Sequence, residues 1–98
     1  MLKFERESIR RNFVSLVEEL PCDKVSSYLY QDGVISNNML CEILEFQPTQ
    51  RSYHLLILLQ RRGPRAFQSF IRALKYANRE DLAASLISFE NSFSQLSI

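Results

Sequence analysis

The sequence predicts an all-α protein, folded as an antiparallel bundle of six short helices. Hydrophobic residues make up 46% of the 98 residues, which is enough apolar surface for one core. Apolar side chains recur at helical spacing in several segments, and no segment alternates as a half-buried strand would. Three prolines and two glycines stand between these segments, where helices can begin or end. The connections are short, which favours antiparallel packing of neighbouring helices.

The first predicted helix covers about residues 3–20. Five of its apolar residues are spaced so that they share one face: Ile9, Phe13, Leu16, Val17 and Leu20. The second helix covers about residues 22–31, after Pro21, and points Val25 and Leu29 inward. It ends at Asp32-Gly33, because glycine readily adopts the left-handed conformation that terminates a helix.

The third predicted helix begins after Ser36, whose hydroxyl can accept a hydrogen bond from the first turn of a helix. Its spacing directs three residues at the core, namely Leu40, Ile43 and Leu44.

The fourth predicted helix extends from Pro48 to Arg61-Arg62-Gly63, where cations suit the negative end of the helix dipole and Gly63 can supply a left-handed cap. Residues 55–59 are all apolar, and they cannot all face one core. We therefore expect Leu55, Leu56 and Leu59 to be buried, with Ile57 or Leu58 pushed towards the rim.

The fifth predicted helix begins at Pro64 and carries an apolar stripe of Phe67, Phe70, Ile71 and Leu74. The sixth opens with Asn78-Arg79-Glu80-Asp81, in which a capping residue is followed three positions later by a carboxylate. Its inward residues are Leu82, Leu86 and Phe89. We predict one domain over residues 1–90 and a C-terminal tail or linker over residues 91–98.

Charge is distributed unevenly along a chain whose formal net charge is only +1. Residues 1–12 carry a net +2 and residues 13–46 a net −5, whereas residues 47–79 carry +7 and residues 80–98 carry −3. This pattern predicts two surfaces of opposite sign on one small body. Such surfaces favour head-to-tail contact between molecules.

The sequence offers no support for catalysis, for a cofactor or for a metal site. His54 is the single imidazole, and neither Cys22 nor Cys41 lies in an activating context. Two cysteines and one histidine cannot complete an ordinary zinc site. We expect two half-buried free thiols in a reducing, cytoplasmic compartment. No signal peptide is recognisable, and no apolar run approaches the roughly 20 residues of a membrane span.

Nucleic acid is an alternative partner, because residues 51–79 hold seven cations. The domain is not basic overall, however, and the acidic block over residues 13–46 would repel phosphate. We therefore predict a protein partner and no nucleic-acid or membrane binding.

Five short motifs occur in a fixed order along the chain. They are Ile9-Arg10-Arg11-Asn12, Asp32-Gly33-Val34-Ile35, Gln47-Pro48-Thr49-Gln50-Arg51, Arg62-Gly63-Pro64-Arg65-Ala66-Phe67 and Glu80-Asp81-Leu82-Ala83-Ala84-Ser85-Leu86. Over about residues 6–87 this arrangement resembles the caspase-recruitment domains (CARDs) of the death-fold superfamily. The resemblance is strongest to the prodomains of initiator caspases.

The resemblance implies a six-helix Greek-key bundle, often with a bent first helix, that binds other CARDs and has no catalytic activity. A basic surface on helices 1 and 4 of one domain would meet an acidic surface on helices 2 and 3 of another, with added contacts at the helix 4–5 corner. The implied role is to recruit an initiator caspase to an apoptosome-type scaffold or adaptor in apoptosis, with self-association into oligomers. A free-standing CARD adaptor or inhibitor without a protease domain is the alternative.

Carried over by position, the resemblance assigns three groups of partner-binding residues. The basic patch comprises Arg10, Arg11 and Arg51, with His54, and the corner contact comprises Arg61, Arg62 and Arg65. The acidic side comprises Asp23, Asp32, Glu42 and Glu45. Phe13 and Tyr53 depart from the pattern, since related prodomains can carry arginines at these positions.

Overall fold

A computed structural model describes the backbone of residues 1–96 and the side chains of residues 1–88. It contains seven α-helices and no strand within that range, so the predicted all-α class is confirmed. The helices are α1 (Lys3–Arg11), α2 (Phe13–Glu19), α3 (Cys22–Gln31), α4 (Asn37–Glu45), α5 (Pro48–Leu59), α6 (Ala66–Tyr76) and α7 (Glu80–Leu96).

The count is seven rather than six because the first predicted helix is divided at Asn12. The backbone of Asn12 leaves helical geometry, with φ −107° and ψ 14°. Its side-chain amide donates to the Ser8 carbonyl at 2.8 Å, a local bond that competes with regular helix. The Leu16 N–H still donates to the Asn12 carbonyl at 2.9 Å, so α2 follows α1 directly. The two form one bent helix.

The core lies around α6, which packs against both α3 and α7. Phe67, Phe70 and Leu74 of α6 are fully buried, and Ile71 is nearly so. The burial of Leu55, Leu56 and Leu59 and the exposure of Ile57 in α5 confirm the predicted division of that apolar run. Leu82 and Leu86 of α7 are also buried as predicted. The side chain of Phe89 lies outside the described residues.

The prediction was wrong for one core residue, Leu44. Leu44 is 39% exposed, because only Ile43 in the last turns of α4 points fully into the bundle. Phe13, Val17 and Leu40 pack against the core but are only partly buried.

The left-handed helix end predicted at Gly33 is confirmed. Gly33 has φ 79°, and the N–H groups of Gly33 and Val34 donate to the carbonyls of Tyr30 and Leu29 at 3.1 and 2.9 Å. This pattern is a Schellman motif, in which two orphan carbonyls of the last turn are satisfied.

The same motif ends α6 at Asn78, and here the prediction was wrong. Asn78 has φ 61°, and its N–H donates to the Lys75 carbonyl while that of Arg79 donates to the Leu74 carbonyl. Asn78 therefore terminates α6 and does not cap the N-terminus of α7.

The corner between α5 and α6 also differs from the prediction. Gly63 does not adopt a positive φ, and α5 ends at Leu59, with 3₁₀-type bonds from the Arg61 and Arg62 N–H groups closing its last turn. Pro64 lies in the turn before α6, whose first helical residue is Ala66.

The last helix, α7, continues to Leu96 and so crosses the predicted boundary between residues 90 and 91. The boundary itself stays a prediction. The Ser8 hydroxyl donates to the Leu86 carbonyl at 2.9 Å, a buried bond that ties α1 to α7.

Candidate protein interaction surfaces

Arg10 and Arg11 lie at the C-terminal end of α1, where both side chains are well exposed. Each lies 3.5 Å from a carboxylate oxygen of Glu7, one turn earlier on the same helix. Exposed pairs of this kind are weak, so both arginines can exchange Glu7 for a carboxylate on a partner.

Arg51 is held inside its own molecule. Its Nε donates to the Phe46 carbonyl and its Nη2 to the Leu44 carbonyl, both at 2.9 Å. Its Nη1 lies 3.2 Å from Asp23 Oδ1, and only 20% of the Arg51 side chain is exposed. The structure thus pairs one predicted basic residue with one predicted acidic residue, and Arg51 is bonded within its own molecule.

His54 belongs to a row of aromatic rings, which we call the aromatic strip: Phe13, Tyr53, His54 and Phe46. The rings of Phe13 and Tyr53 meet edge to face with centroids 5.7 Å apart, and those of Tyr53 and His54 do so at 5.5 Å. His54 is stacked on Phe46 at 3.5 Å. The strip runs from α2 across α5 to the α4–α5 turn, and Tyr53 is its exposed member.

The corner arginines differ from one another in their surroundings. Arg61 and Arg65 are exposed, and neither side chain has a hydrogen bond or ion pair within the described part of the chain. Arg62 is half-buried, and its Nε donates to the Val34 carbonyl at 3.1 Å. Arg61 and Arg65 are therefore available to a partner, whereas Arg62 connects the corner to the α3–α4 loop.

Asp32 lies beside this basic corner, although the sequence assigned it to the acidic side. It shares a cavity with Arg62 and Arg65, accepts a hydrogen bond from the Ser69 hydroxyl and pairs with Arg72 at 2.9 Å. The hydrogen bond from Ser69, followed by that from Arg72, lowers the pKa of Asp32 below its ordinary value.

Glu42 and Glu45 are exposed on α4, a helix that carries no cation. Neither carboxylate is bonded to another described group. Glu42 also lines a cleft between α4 and α5 together with His54, Ile57 and Arg61. Of the four predicted acidic residues, these two remain available, since Asp23 and Asp32 are paired with other residues of the chain.

The described residues contain no cluster of histidine, cysteine and acidic side chains that could hold a metal ion. Cys22 is buried next to Ser26, and burial raises the pKa of its thiol, which disfavours the reactive thiolate. Cys41 is exposed, contrary to the prediction that both cysteines are half-buried. Within the helices described, none combines the length and apolar character needed to cross a membrane.

Sequence reasoning missed two features of these surfaces. It treated Phe13 and Tyr53 as a departure from a pattern and did not see that they touch. It also placed Leu44 in the core. Tyr53 lies towards the edge of the helix face formed by Leu55, Leu56 and Leu59, and this position was the signal that could have revealed an exposed ring.

Two comparisons with known proteins bear on these surfaces. The family model described as "Caspase recruitment domain" matches residues 6–88. Among curated proteins, the chain is similar to "Caspase-2" of Gallus gallus, with 28% identity over 94 residues, or 94% of this chain. The chain spans 22% of the length of that relative.

Proposed function

The chain belongs to the caspase recruitment domain family, whose members are non-catalytic domains that bind one another, and we propose that it recruits an initiator caspase to an activating scaffold or adaptor of the apoptosome type. The likeness to caspase-2 supports this role. The expected partner is the CARD of that scaffold or adaptor, in the cytoplasm.

The observation that carries the proposal is that charges of both signs stay available on different helices. Arg61 and Arg65 project from the α5–α6 corner and Glu42 and Glu45 from α4, and none of the four side chains has a hydrogen bond or ion pair to another described residue. Glu42 and Arg61 line one cleft, whereas Arg65 and Glu45 do not. Surfaces of opposite sign on different elements suit heterologous contact, in which domains add head to tail and do not close as a dimer.

Recruitment would act by raising the local concentration of a tethered protease. It requires no catalysis by this domain. A protease tethered to such a module meets other copies at a high effective concentration when several modules bind one scaffold. Each exposed ion pair contributes only about 1 kcal/mol, so a single contact is weak and useful occupancy depends on several contacts at once.

The test is charge reversal at the corner. We expect the double variant R61E/R65E to weaken binding to the CARD of the scaffold about tenfold or more, because two attractive contacts become repulsive. Lys75→Glu on α6 is the matched control, since Lys75 is an exposed cation away from the corner. Binding would be followed by biolayer interferometry and folding by circular dichroism. Unchanged binding of a folded R61E/R65E variant would contradict the proposal.

A further inference from the structure

A cleft between α1, the start of α2 and the end of α5 is lined mainly by cations. It has a volume of about 340 Å³, and its walls are Lys3, Arg6, Glu7, Arg10, Phe13 and Gln60. The four residues of α1 among them are spaced three or four positions apart, so they share one face of that helix. The helical spacing thus places three cations around one opening.

The positive charge of this cleft is largely unopposed. Lys3 and Arg6 are exposed, and neither side chain has a hydrogen bond or ion pair to another described residue. Glu7 is the single carboxylate among the lining residues, and its oxygens lie 3.5 Å from both Arg10 and Arg11. Arg11 does not line the cleft, so Glu7 divides its charge between an arginine inside and one outside. The cleft therefore keeps an excess of positive charge.

An anion with several charges in a short length suits this arrangement. Cations that line a cleft focus the electric field and attract small anions from solution. A guanidinium group donates paired hydrogen bonds to phosphate oxygens, and a lysine ammonium adds a flexible point charge. The helix rises by only about 10 Å between Lys3 and Arg10. Phosphate groups joined in a short chain carry a matching density of negative charge.

The excess of positive charge on α1 does not continue into the next helix. α2 follows α1 directly, and it carries Glu18 and Glu19 and no cation. An extended polyanion such as nucleic acid gains its affinity from cations placed against many phosphates along its length. The cleft therefore favours a small ligand.

Two neutral side chains complete the walls of the cleft. Phe13 is partly buried, and an aromatic ring in this position can stack on a flat ligand. The Gln60 amide nitrogen donates to the Leu56 carbonyl at 3.2 Å, and the amide oxygen accepts no hydrogen bond from a described residue. That oxygen can accept a hydrogen bond from an amino group. Both side chains suit the base of a nucleotide.

We infer that this cleft is a binding site for a small polyphosphate anion, and that a nucleoside triphosphate is the member of that class that fits it best. The cations of α1 hold the phosphates, while Phe13 and Gln60 contact the base. The inference goes beyond the proposed function and does not depend on it, since neither Arg61 nor Arg65 lines the cleft.

The test is a titration of the ¹⁵N-labelled chain, followed through its amide resonances at an ionic strength of about 0.15 M. ATP and inorganic tripolyphosphate are the two ligands, without added magnesium so that the phosphates keep their full charge. The variant K3E/R6E reverses two cations of the cleft and spares Arg10, which is a candidate partner contact. The matched control is K24E/K75E, because it changes the net charge equally at two exposed lysines outside the cleft. The dispersion of the amide resonances reports whether each variant folds.

We expect both ligands to shift resonances of α1 and of Gln60, with ATP binding more tightly because only ATP carries a base. K3E/R6E should weaken both affinities about tenfold or more, since two attractive contacts become repulsive. K24E/K75E should bind as the wild type does. Equal affinity for ATP and tripolyphosphate would support the polyphosphate site and overturn the preference for a nucleotide.

Four results would overturn the site itself: no shifts with either ligand, shifts confined to residues outside the cleft, wild-type affinity of a folded K3E/R6E, or equal weakening by K24E/K75E. An oligothymidine of about ten nucleotides that binds more tightly than ATP would overturn the assignment of a small ligand. The proposed function is tested separately through the corner arginines, so either result can fail while the other stands.

Discussion

Among single residues, Asp32 is an acid whose ionised form links two helices. Its Oδ2 atom accepts hydrogen bonds from the Ser69 hydroxyl at 2.5 Å and from Arg72 Nη2 at 2.9 Å, so α6 holds the end of α3 through one carboxylate. The hydrogen bond from Ser69, with that from Arg72, lowers the pKa of Asp32 below the ordinary value of an aspartate. A depressed folded-state pKa means that the carboxylate contributes stability above its unfolded-state pKa and loses that contribution as the pH falls.

We therefore predict that Asp32→Asn makes the stability of the fold depend less steeply on pH in the acid range. The wild-type chain should be more stable than the variant at neutral pH, and the difference should shrink as the pH falls below the ordinary pKa of an aspartate and Asp32 takes up its proton. Thermal melts followed by circular dichroism across this range would measure it. Ser69→Ala, which keeps the carboxylate and removes the main hydrogen bond, should fall between the two. Parallel curves for wild type and D32N would show that Asp32 is not linked to folding.

Asn78 illustrates what single residues allow a sequence to predict. Asparagine is favoured at a helix N-cap and is also tolerated in the left-handed conformation, so Asn78 before Glu80 and Asp81 fits both roles. Which of the two roles Asn78 takes is linked to the contacts of the next residue, Arg79. Arg79 donates to the Glu19 carbonyl at 2.8 Å and pairs with Glu19 and Asp81, a contact across 60 residues that local sequence does not contain. Glycine was not a sufficient signal either, since Gly33 adopts the predicted left-handed conformation and Gly63 does not.

Among the helices, α3, α4 and α5 are joined by one side chain. Arg51 on α5 donates to the Phe46 and Leu44 carbonyls at the end of α4 and pairs with Asp23 on α3. The two carbonyls belong to a helix end, where no intrahelical donor is available. Arg51 therefore completes the C-terminus of α4 from outside.

We predict that Arg51→Ala lowers the free energy of unfolding by about 2 kcal/mol, because it leaves the two carbonyls and Asp23 without their donor. The matched substitution Arg61→Ala removes an exposed arginine with no described partner, and it should cost less than about 0.5 kcal/mol. Urea denaturation of both variants would measure the difference. Equal effects would mean that the hydrogen bonds of Arg51 do not stabilise the fold. A binding defect in an Arg51 variant therefore has to be corrected for lost stability.

The sequence predicted the positions of the helices better than their number. Apolar spacing located every helix, because burial of one face is what makes a short helix stable. The break at Asn12 was not visible in that spacing, since Ile9, Leu16 and Leu20 remain on the buried side of both α1 and α2. The prediction for Leu44 was wrong for another reason: its spacing suited the core, but the packing of α4 against α3 and α5 buries Ile43 and leaves Leu44 exposed.

At the level of the whole molecule, the charge blocks of the sequence are partly cancelled on folding. Asp23 pairs with Arg51, Asp32 with Arg72, and Glu19 with Arg79, so three acids of the block over residues 13–46 neutralise cations of the block over residues 47–79. Among the predicted site residues, the charges that remain available are fewer and more local: acids on α4, and cations on α1 and at the α5–α6 corner. The sequence predicted the sign of each segment, but it could not show which charges would meet inside one molecule.

These remaining charges predict that binding to the scaffold CARD weakens with salt. Raising NaCl from about 50 to about 500 mM shortens the screening length to a few Å, so contacts made by Arg61, Arg65, Glu42 and Glu45 should weaken. We expect the affinity of the wild-type chain for the scaffold CARD to fall about tenfold or more over this range, because several exposed ion pairs of about 1 kcal/mol each are screened together. Biolayer interferometry of the wild type and of R61E/R65E at each salt concentration would measure the effect, and the affinity of the variant should depend less on salt because two of the screened contacts are gone. A wild-type affinity that does not change with salt would mean that these charges do not carry the binding.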